Sequence, residues 1–222
     1  MTGRPGPNSV QRLPAFGDRR RRRIGLLGGS FNPAHAGHLH ISREALKRLH
    51  LDQVWWLISP QNPLKSAENM APASQRMAAA KAIAAANPRI LVTDVERRMG
   101  DARTAHSLRS LCQHYPNLRF VWLMGADNLA EIPRWWRWTG IFHTVRVAVL
   151  DRSPYSYGAL AGSAARRFAR VRVGRPLSIW FRSPPSWAYM AVRRHPASAT
   201  ALRAENGVAT PIKPIEGGRH PR

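Results

Sequence analysis

Short apolar runs alternate with helical patterns along this 222-residue chain, and that alternation constrains the fold more than any other feature. The runs are continuously apolar, which is typical of strands buried on both faces of a parallel sheet. They are Ile24–Leu27, Val54–Ile58, Ile90–Val95, Phe120–Met124 and Val145–Leu150. Helical spacing fills the gaps at about 38–49, 75–86 and 105–114. Ser74 and Thr104 are predicted to cap the second and third of these helices.

The order of these elements begins βαβαβαβ. Because connections between parallel strands are right-handed, this order predicts an α/β fold with a doubly wound, Rossmann-like parallel sheet. Ligands of such sheets lie beyond the carboxyl ends of the strands, near the point where the strand order reverses. The segments that follow the first and fourth strands are therefore the first places to look for chemistry.

Segments rich in Pro and Gly, without periodicity, form both ends of the chain. We expect flexible tails at 1–18 and 207–222, with one domain at 19–206 between them. No apolar stretch reaches the roughly 20 residues of a membrane-spanning helix, so no membrane partner is expected. Cys112 is the single cysteine, which excludes an internal disulfide and is typical of a reducing compartment. We therefore expect a cytoplasmic protein.

The segment after the first predicted strand, residues 28–39, combines several features of a phosphate site. Gly28 and Gly29 allow tight turning and a close approach of the backbone to a phosphate. Pro33 stiffens the loop, and Gly37 lets the N-terminus of the next helix face an anion. Each feature alone is common, but their joint spacing indicates a phosphate-binding loop.

Two histidines, His35 and His38, lie where phosphate oxygens are expected. An imidazole that donates to developing negative charge lowers the barrier to nucleotidyl transfer without any covalent nucleophile. Histidines three residues apart also suit a metal site, but no nearby carboxylate or cysteine completes a ligand set, so no protein-bound metal is predicted. A structural or solvated role for either ring stays open at this point.

The run Gly29–Pro33 followed by His35–His38 resembles the signature of the HxGH nucleotidyltransferase superfamily. Within it, the chain resembles the bacterial nicotinate-nucleotide adenylyltransferases over about residues 24–205. The resemblance implies a single nucleotidyltransferase domain that transfers AMP from ATP to nicotinic acid mononucleotide. The implied products are nicotinic acid adenine dinucleotide and diphosphate, in NAD biosynthesis. It also implies Mg²⁺, carried by the ATP phosphates.

The same resemblance assigns residues to the two substrates, with His35 and His38 as the catalytic pair. Those expected at ATP are Gly28, Gly29, Ser30, Phe31, His35, His38, Gly125, Asp127, Ser198, Thr200 and Arg203. Those expected at the nicotinate nucleotide are Asn32, Lys65, Thr104, Trp135, Trp136 and Arg152.

Elementary chemistry agrees with several of these assignments. Asp127 can accept hydrogen bonds from ribose hydroxyls. The flat ring of Trp135 suits a flat pyridine ring. Ser198 or Thr200 can cap a helix whose free N–H groups, together with Arg203, attract phosphate.

Three positions depart from the family pattern. Ala199 replaces a second serine hydroxyl and so removes one donor to ATP. Leu64 stands where some members have histidine, and Arg103 stands where many have tyrosine or phenylalanine. The last two bear on the nicotinate side, so the preference for the acid over the amide form stays open. Arg76 is a further basic residue expected near the phosphates.

The formal net charge is +23, of which +16 lies within residues 24–203. Such charge attracts nucleotides, other phosphates and nucleic acid alike. Two alternatives stay open: an HxGH enzyme with a flavin or phosphopantetheine acceptor, and a basic nucleic-acid-binding protein that uses arginines and eight tryptophans. The HxGH spacing favours ATP and nicotinic acid mononucleotide as partners, with no specific nucleic acid. The oligomeric state stays open.

Overall fold

The computed structural model describes residues 13, 20–59, 70–99, 103–151 and 156–192. Within these ranges seven strands form a single sheet. They are β1 (Arg23–Gly29), β2 (Gln53–Ile58), β3 (Ile90–Thr93), β4 (Arg119–Gly125), β5 (Arg146–Asp151), β6 (Arg172–Val173) and β7 (Trp187–Ala191). The order across the sheet is β3-β2-β1-β4-β5-β7-β6, and every neighbouring pair is parallel.

Helices connect the strands and cover the sheet. They are α1 (Ala36–Arg48), α2 (Ala73–Ala84), α3 (Val95–Arg98), α4 (Thr104–His114), α5 (Ala126–Glu131), α6 (Trp138–Thr144), α7 (Ser156–Ala161) and α8 (Ser163–Arg167). Short 3₁₀ helices lie at Ile132–Arg134, Ala169–Val171 and Pro176–Phe181. Among the described helices, none combines the length and apolar character needed to cross a membrane.

The strand order reverses between β1 and β4. From β1 the chain moves outward to β2 and β3, and it then returns to the other side of β1 as β4. The register pairs Leu27 with Leu123, so the carboxyl ends of these two central strands lie side by side. The predicted doubly wound α/β sheet is confirmed, and its switch point falls between the two strands whose following loops carry the predicted motifs.

The core consists of two apolar layers, one on each face of the sheet. Successive residues of a strand point to opposite faces. Trp55 therefore packs in one layer with Phe120, and Trp56 packs in the other with Val121. Both tryptophans are fully buried. Burial on both faces explains why the strand sequences are continuously apolar instead of alternating.

One strand end and two helix caps differ from the prediction, each for a local reason. Val95 was expected to end the third strand, but the Thr93 hydroxyl accepts the Val95 N–H at 3.2 Å, and this turn ends the strand and starts α3. Ser74 does not cap α2, because the helix begins at Ala73 after Pro72. Thr104 is the first residue of α4, since the Arg103 carbonyl already accepts from the helix.

The prediction stopped at the fifth strand, so β6, β7 and the helices α5 to α8 were not foreseen. The predicted tail 207–222 lies outside the described residues. Within the predicted tail 1–18 only Leu13 is described, and it packs against the core. The domain boundaries therefore stay a prediction.

Candidate active site

The site begins where β1 ends. Gly28 and Gly29 are the last two residues of that strand, so the connecting loop starts at Ser30 and not at Gly28 as expected. A Cβ added to Gly28 would lie 2.3 Å from Cη2 of Trp122 on β4, whereas one at Gly29 would meet Phe31 at an ordinary 3.5 Å. Glycine at 28 is thus required by packing between the two central strands. Contact of either glycine with ATP stays a prediction.

Phe31 packs its ring between the sheet and the histidine loop. Its backbone is left-handed, with φ of 47°, which is uncommon for a residue other than glycine. The ring is 2% exposed and stacks on Trp56 with centroids 5.1 Å apart. It also contacts the His38 ring at 4.7 Å. This packing offsets the backbone strain and gives His38 an apolar base.

His35 and His38 cap the start of α1 reciprocally. His35 is the N-cap residue, and its Nδ1 accepts the Gly37 N–H at 3.1 Å. The His35 N–H in turn donates to Nδ1 of His38 at 3.2 Å. Such a capping box is usually built from Ser or Thr with Glu or Gln, and here two imidazoles take both parts.

These bonds determine the tautomer of both rings. A nitrogen that accepts a backbone N–H carries no proton, so the proton of each neutral imidazole is at Nε2. The rings lie against each other with centroids 3.9 Å apart, and His35 is 6% exposed. The loop therefore places two neighbouring imidazoles, each with its proton at Nε2, at the N-terminus of a 13-residue helix. That arrangement suits an anion.

A chain of hydrogen bonds fixes the first turn of α1 to the sheet. The indole N–H of Trp56 on β2 donates to the Ser42 hydroxyl at 2.8 Å. That hydroxyl donates to the His38 carbonyl at 2.8 Å. Trp56 and Ser42 are both fully buried, so the relay is shielded from water. Sequence reasoning missed Ser42, because a serine inside a helix usually faces solvent.

Arg76 on α2 fastens the loop from the other side. Its guanidinium donates to the carbonyls of Ser30 at 2.6 Å, Ser59 at 2.9 Å and Ala71 at 2.9 Å. The residue is 2% exposed, and burial lowers the pKa of its guanidinium. These donors hold three backbone carbonyls, and the expected contribution of the Arg76 charge to phosphate binding stays a prediction. Asn32 contributes a weaker link, accepting the Ala71 N–H at 3.3 Å.

The loop after β4 approaches from the neighbouring strand. Gly125 ends β4, Ala126 is fully buried, and Asp127 lies half-buried in the first turn of α5. Because β4 is the direct neighbour of β1, this turn and the histidine loop leave the sheet at the same place. The structure thus brings the two predicted motifs to one edge, while the role of Asp127 toward ribose stays a prediction.

The tryptophan segment follows α5. Trp135 is half-buried against the core, and Trp138 packs edge-on against Phe142. Trp136 is 42% exposed, and two guanidiniums lie over its ring, with Arg103 at 4.2 Å and Arg137 at 4.7 Å from the ring centroid. The contact with Arg103 joins this segment to the start of α4, where Thr104 lies.

The other predicted site residues, Lys65, Arg152, Ser198, Thr200 and Arg203, lie outside the described residues, as do Leu64 and Ala199. Across the described ranges, no three His, Cys, Asp or Glu side chains come together as a metal site. The two site histidines use Nδ1 for the backbone. The described residues therefore offer no dedicated protein cage for a divalent cation.

A family model and several known proteins match most of this chain. The family model described as "Cytidylyltransferase-like" matches residues 26–205. A protein of Cereibacter sphaeroides is 50% identical over 181 residues, covering 82% of this chain and 96% of that protein. One of Methylorubrum extorquens is 49% identical over 183 residues, covering 82% of this chain and 98% of the other. Both carry the name "Probable nicotinate-nucleotide adenylyltransferase".

Solved structures resemble the fold. The Plasmodium falciparum nicotinic acid mononucleotide adenylyltransferase complexed with NaAD has a TM-score of 0.62 at 16% identity, covering 84% of this chain and 88% of that one. The same enzyme complexed with APC gives 0.60 at 15% identity, with 82% and 83% coverage. At such identity the likeness concerns the arrangement of the sheet and helices.

Proposed function

The chain belongs to the cytidylyltransferase-like family, and on that premise we propose that it is an adenylyltransferase acting in NAD biosynthesis. It moves AMP from ATP to nicotinic acid mononucleotide and releases diphosphate. The relatives that are about half identical over most of both chains carry the name of this activity. The observation that carries the chemistry is that Nδ1 of both His35 and His38 accepts a backbone N–H at the start of α1, beside the β4 turn, which leaves Nε2–H as the donor of each ring.

The reaction needs alignment and charge compensation more than proton abstraction. The attacking group is a phosphate oxygen, which is already an anion at neutral pH. It attacks the α-phosphorus of ATP in line with the departing diphosphate, so one bond forms as the opposite one breaks. The protein must hold two polyanions together, and fixed donors achieve this without reorganising during the reaction.

His35 and His38 supply donors of that kind. Because the backbone holds each ring through Nδ1, each Nε2–H has a fixed direction. Negative charge grows on the phosphoryl oxygens in the transition state, and a fixed donor binds that charge more strongly than it binds the ground state. Neutral rings are sufficient for this role. No covalent enzyme intermediate is required.

The remaining substrate contacts stay proposals from the family pattern. Gly125 and Asp127 would face the adenosine part, and Trp135 would stack on the pyridine ring. Lys65 and Arg203 would contribute charge from parts of the chain outside the described residues. Mg²⁺ would travel with the ATP phosphates and offset charge on the leaving diphosphate.

A second part of the proposal concerns location. The lone Cys112 excludes an internal disulfide and is typical of a reducing compartment. We therefore place this biosynthetic enzyme in the cytoplasm.

The test is diphosphate release by the purified full-length chain with ATP and magnesium. Four acceptors are compared: nicotinic acid mononucleotide, nicotinamide mononucleotide, phosphopantetheine and flavin mononucleotide. We expect release with the nicotinate acceptor, and the ratio to the nicotinamide form measures the preference for the acid. Release with phosphopantetheine or flavin mononucleotide alone would retain the chemistry and overturn the substrate. No release with any acceptor would overturn the proposed activity.

A further inference from the structure

Arginines are concentrated at the edge of the sheet opposite the candidate site. The amino ends of four of the seven described strands are arginines: Arg23, Arg119, Arg146 and Arg172. Arg23 and Arg119 are direct partners in the β1–β4 register, and Arg146 pairs with Val121, two residues beyond Arg119. Because residues two apart share a face, Arg23, Arg119 and Arg146 lie on the same face of three adjacent strands.

These three side chains surround one tryptophan. Trp180, in the 3₁₀ helix Pro176–Phe181, is 4% exposed and donates its indole N–H to the Leu49 carbonyl at 2.7 Å. The guanidinium carbons of Arg23, Arg119 and Arg146 lie 5.3, 5.2 and 5.3 Å from its ring centroid. Any two of these guanidiniums are therefore at most about 10 Å apart. At about 0.1 M salt, charges still interact over that distance.

The described carboxylates do not neutralise this group. Throughout the described ranges, no ion pair joins Arg23, Arg119 or Arg146 to an acidic side chain. Asp52 is the acidic residue that contacts this edge, and it accepts the backbone N–H of Arg23 at 2.7 Å. Arg119 and Arg146 donate to the carbonyls of Trp180 and Ile179, which uses only part of each guanidinium.

The cluster is electrostatically unfavourable by itself. Burial lowers the pKa of Arg146, and the nearby charge of Arg119 lowers it further. Like charges on neighbouring strands destabilise a sheet unless an opposite charge offsets them. Arg21 and Arg22 add two more guanidiniums immediately before β1. This edge therefore has an excess of positive charge that an anion would relieve.

We propose that Arg23, Arg119 and Arg146, which we call the arginine edge, bind the linked phosphates of a polyanion. Guanidinium forks match phosphate oxygens bidentately, and several closely spaced forks favour a run of phosphates over a single one. Trp180 is covered by the arginines, so no aromatic face is available there for base stacking. The arginine edge thus binds through charge without reading bases. A nucleic acid backbone and inorganic polyphosphate both supply this chemistry.

The arginine edge is separate from the candidate active site, since it lies at the amino ends of strands whose carboxyl ends form that site. Binding there is measured without turnover. A failure of the polyanion proposal is therefore distinguishable from a failure of the proposed adenylyl transfer.

The experiment titrates the full chain against a labelled single-stranded DNA of about 20 nucleotides, by fluorescence anisotropy, between about 50 and 200 mM salt. A triple variant replaces the arginine edge with glutamine (Arg23→Gln, Arg119→Gln, Arg146→Gln). Each phosphate contact on single strands contributes about 0.7 to the slope of log affinity against log salt, so the slope should fall by about 2. Adenylyl transfer should be unchanged.

A matched control removes the same charge elsewhere. Arg97 and Arg98 on α3 and Arg109 on α4 are exposed, and their replacement by glutamine lowers the net charge equally. We expect this control to retain the wild-type salt slope. If both triple variants lose the same affinity for the DNA, or if neither variant loses affinity, the proposal fails. Competition with unlabelled polyphosphate and with unlabelled DNA then identifies which of the two sources binds more tightly.

A second measurement uses the wild-type chain alone, so it does not depend on the folding of a variant. Phenylglyoxal modifies accessible arginines, and mass spectrometry locates the modified residues. Saturating DNA or polyphosphate should protect Arg23, Arg119 and Arg146 several-fold, while Arg109 stays reactive. Equal modification of all four residues with and without the polyanion would overturn the proposal.

Discussion

The carboxyl and amino edges of the same sheet handle anions in different ways. At the carboxyl edge, neutral histidine rings are held through their Nδ1 atoms, and the buried Arg76 holds backbone carbonyls. At the amino edge, three half-buried guanidiniums share one tryptophan. The histidine pair supplies oriented donors without net charge, and the arginine edge supplies three positive charges close together. Chemistry on a phosphate requires direction, whereas retention of a polyanion requires charge alone.

The largest expected effect tests the oriented histidine donors at the carboxyl edge of the sheet. His38→Ala should lower kcat for diphosphate release by about 10² to 10³, the scale for losing one transition-state donor. His38→Asn is the sharper variant, because its amide oxygen can still accept the His35 N–H while no donor remains at the Nε2 position. We expect the same loss of kcat with little change in stability by urea unfolding. Turnover near the wild-type rate in both variants would contradict the assignment.

The next effect concerns the anchor of the loop. Arg76→Met leaves three part-buried carbonyls without these donors, and we expect the free energy of unfolding to fall by about 3 kcal/mol. Arg76→Lys keeps one donor group and should lose about half as much. Urea unfolding measures both changes. Equal stability of wild type and the methionine variant would show that the loop does not depend on this side chain.

A smaller effect should appear at the contact between the two central strands. Gly28→Ala forces a methyl group against Trp122, and overpacking of this kind costs about 1 to 3 kcal/mol. Gly29→Ala is the matched control, because its added Cβ meets ordinary contacts, and it should be nearly neutral. Trp122→Phe removes the clashing atoms and should restore stability to the Gly28→Ala chain. A double-mutant cycle by thermal unfolding tests this, and additive effects would refute the contact.

The smallest expected effect is that of Arg146→Met, which makes the same substitution as Arg76→Met but at the amino edge of the sheet. Arg146→Met loses a bond to the Ile179 carbonyl and a contact with Trp180, but it also removes repulsion from Arg119. We expect the free energy of unfolding to change by less than about 1 kcal/mol. Added salt should stabilise the wild type more than the variant, since screening weakens repulsion that only the wild type contains. A loss as large as that of Arg76→Met would remove the contrast between the edges.

The strands of the sheet were predictable where a continuous apolar run indicates burial on both faces. Adjacent tryptophans at 55 and 56 already indicate a strand with two apolar faces, and the structure buries both. Helix starts were less predictable. Ser74 and Thr104 are good capping residues, yet Pro72 and Arg103 precede the helices, because tertiary packing fixes the backbone there.

The sequences of β6 and β7 give too weak a pattern for these strands to be predicted. β6 has only two residues, and β7 follows a Pro-Pro pair that reads as a turn. Their pairing depends on contacts with β5 and with each other, which no local pattern encodes. Short strands of this kind depend on the neighbour they join.

At the candidate site, motif spacing located the histidine loop but not its internal bonds. His35 and His38 were expected as donors to phosphate, and the reciprocal capping depends on ring orientation, which spacing cannot give. Arg76 was read as charge for a ligand, because its burial is not visible from one sequence. The relay from Trp56 through Ser42 needed the packing of α1 on β2.

The fit of Gly28 against Trp122 also has an evolutionary consequence. The strands that carry the histidine loop and the turn at Gly125 and Asp127 are spaced by one missing side chain on β1 and one large ring on β4. A larger residue at position 28 is tolerated only when position 122 shrinks. Among related sequences, the two positions should therefore change together, as a covarying pair inside the sheet.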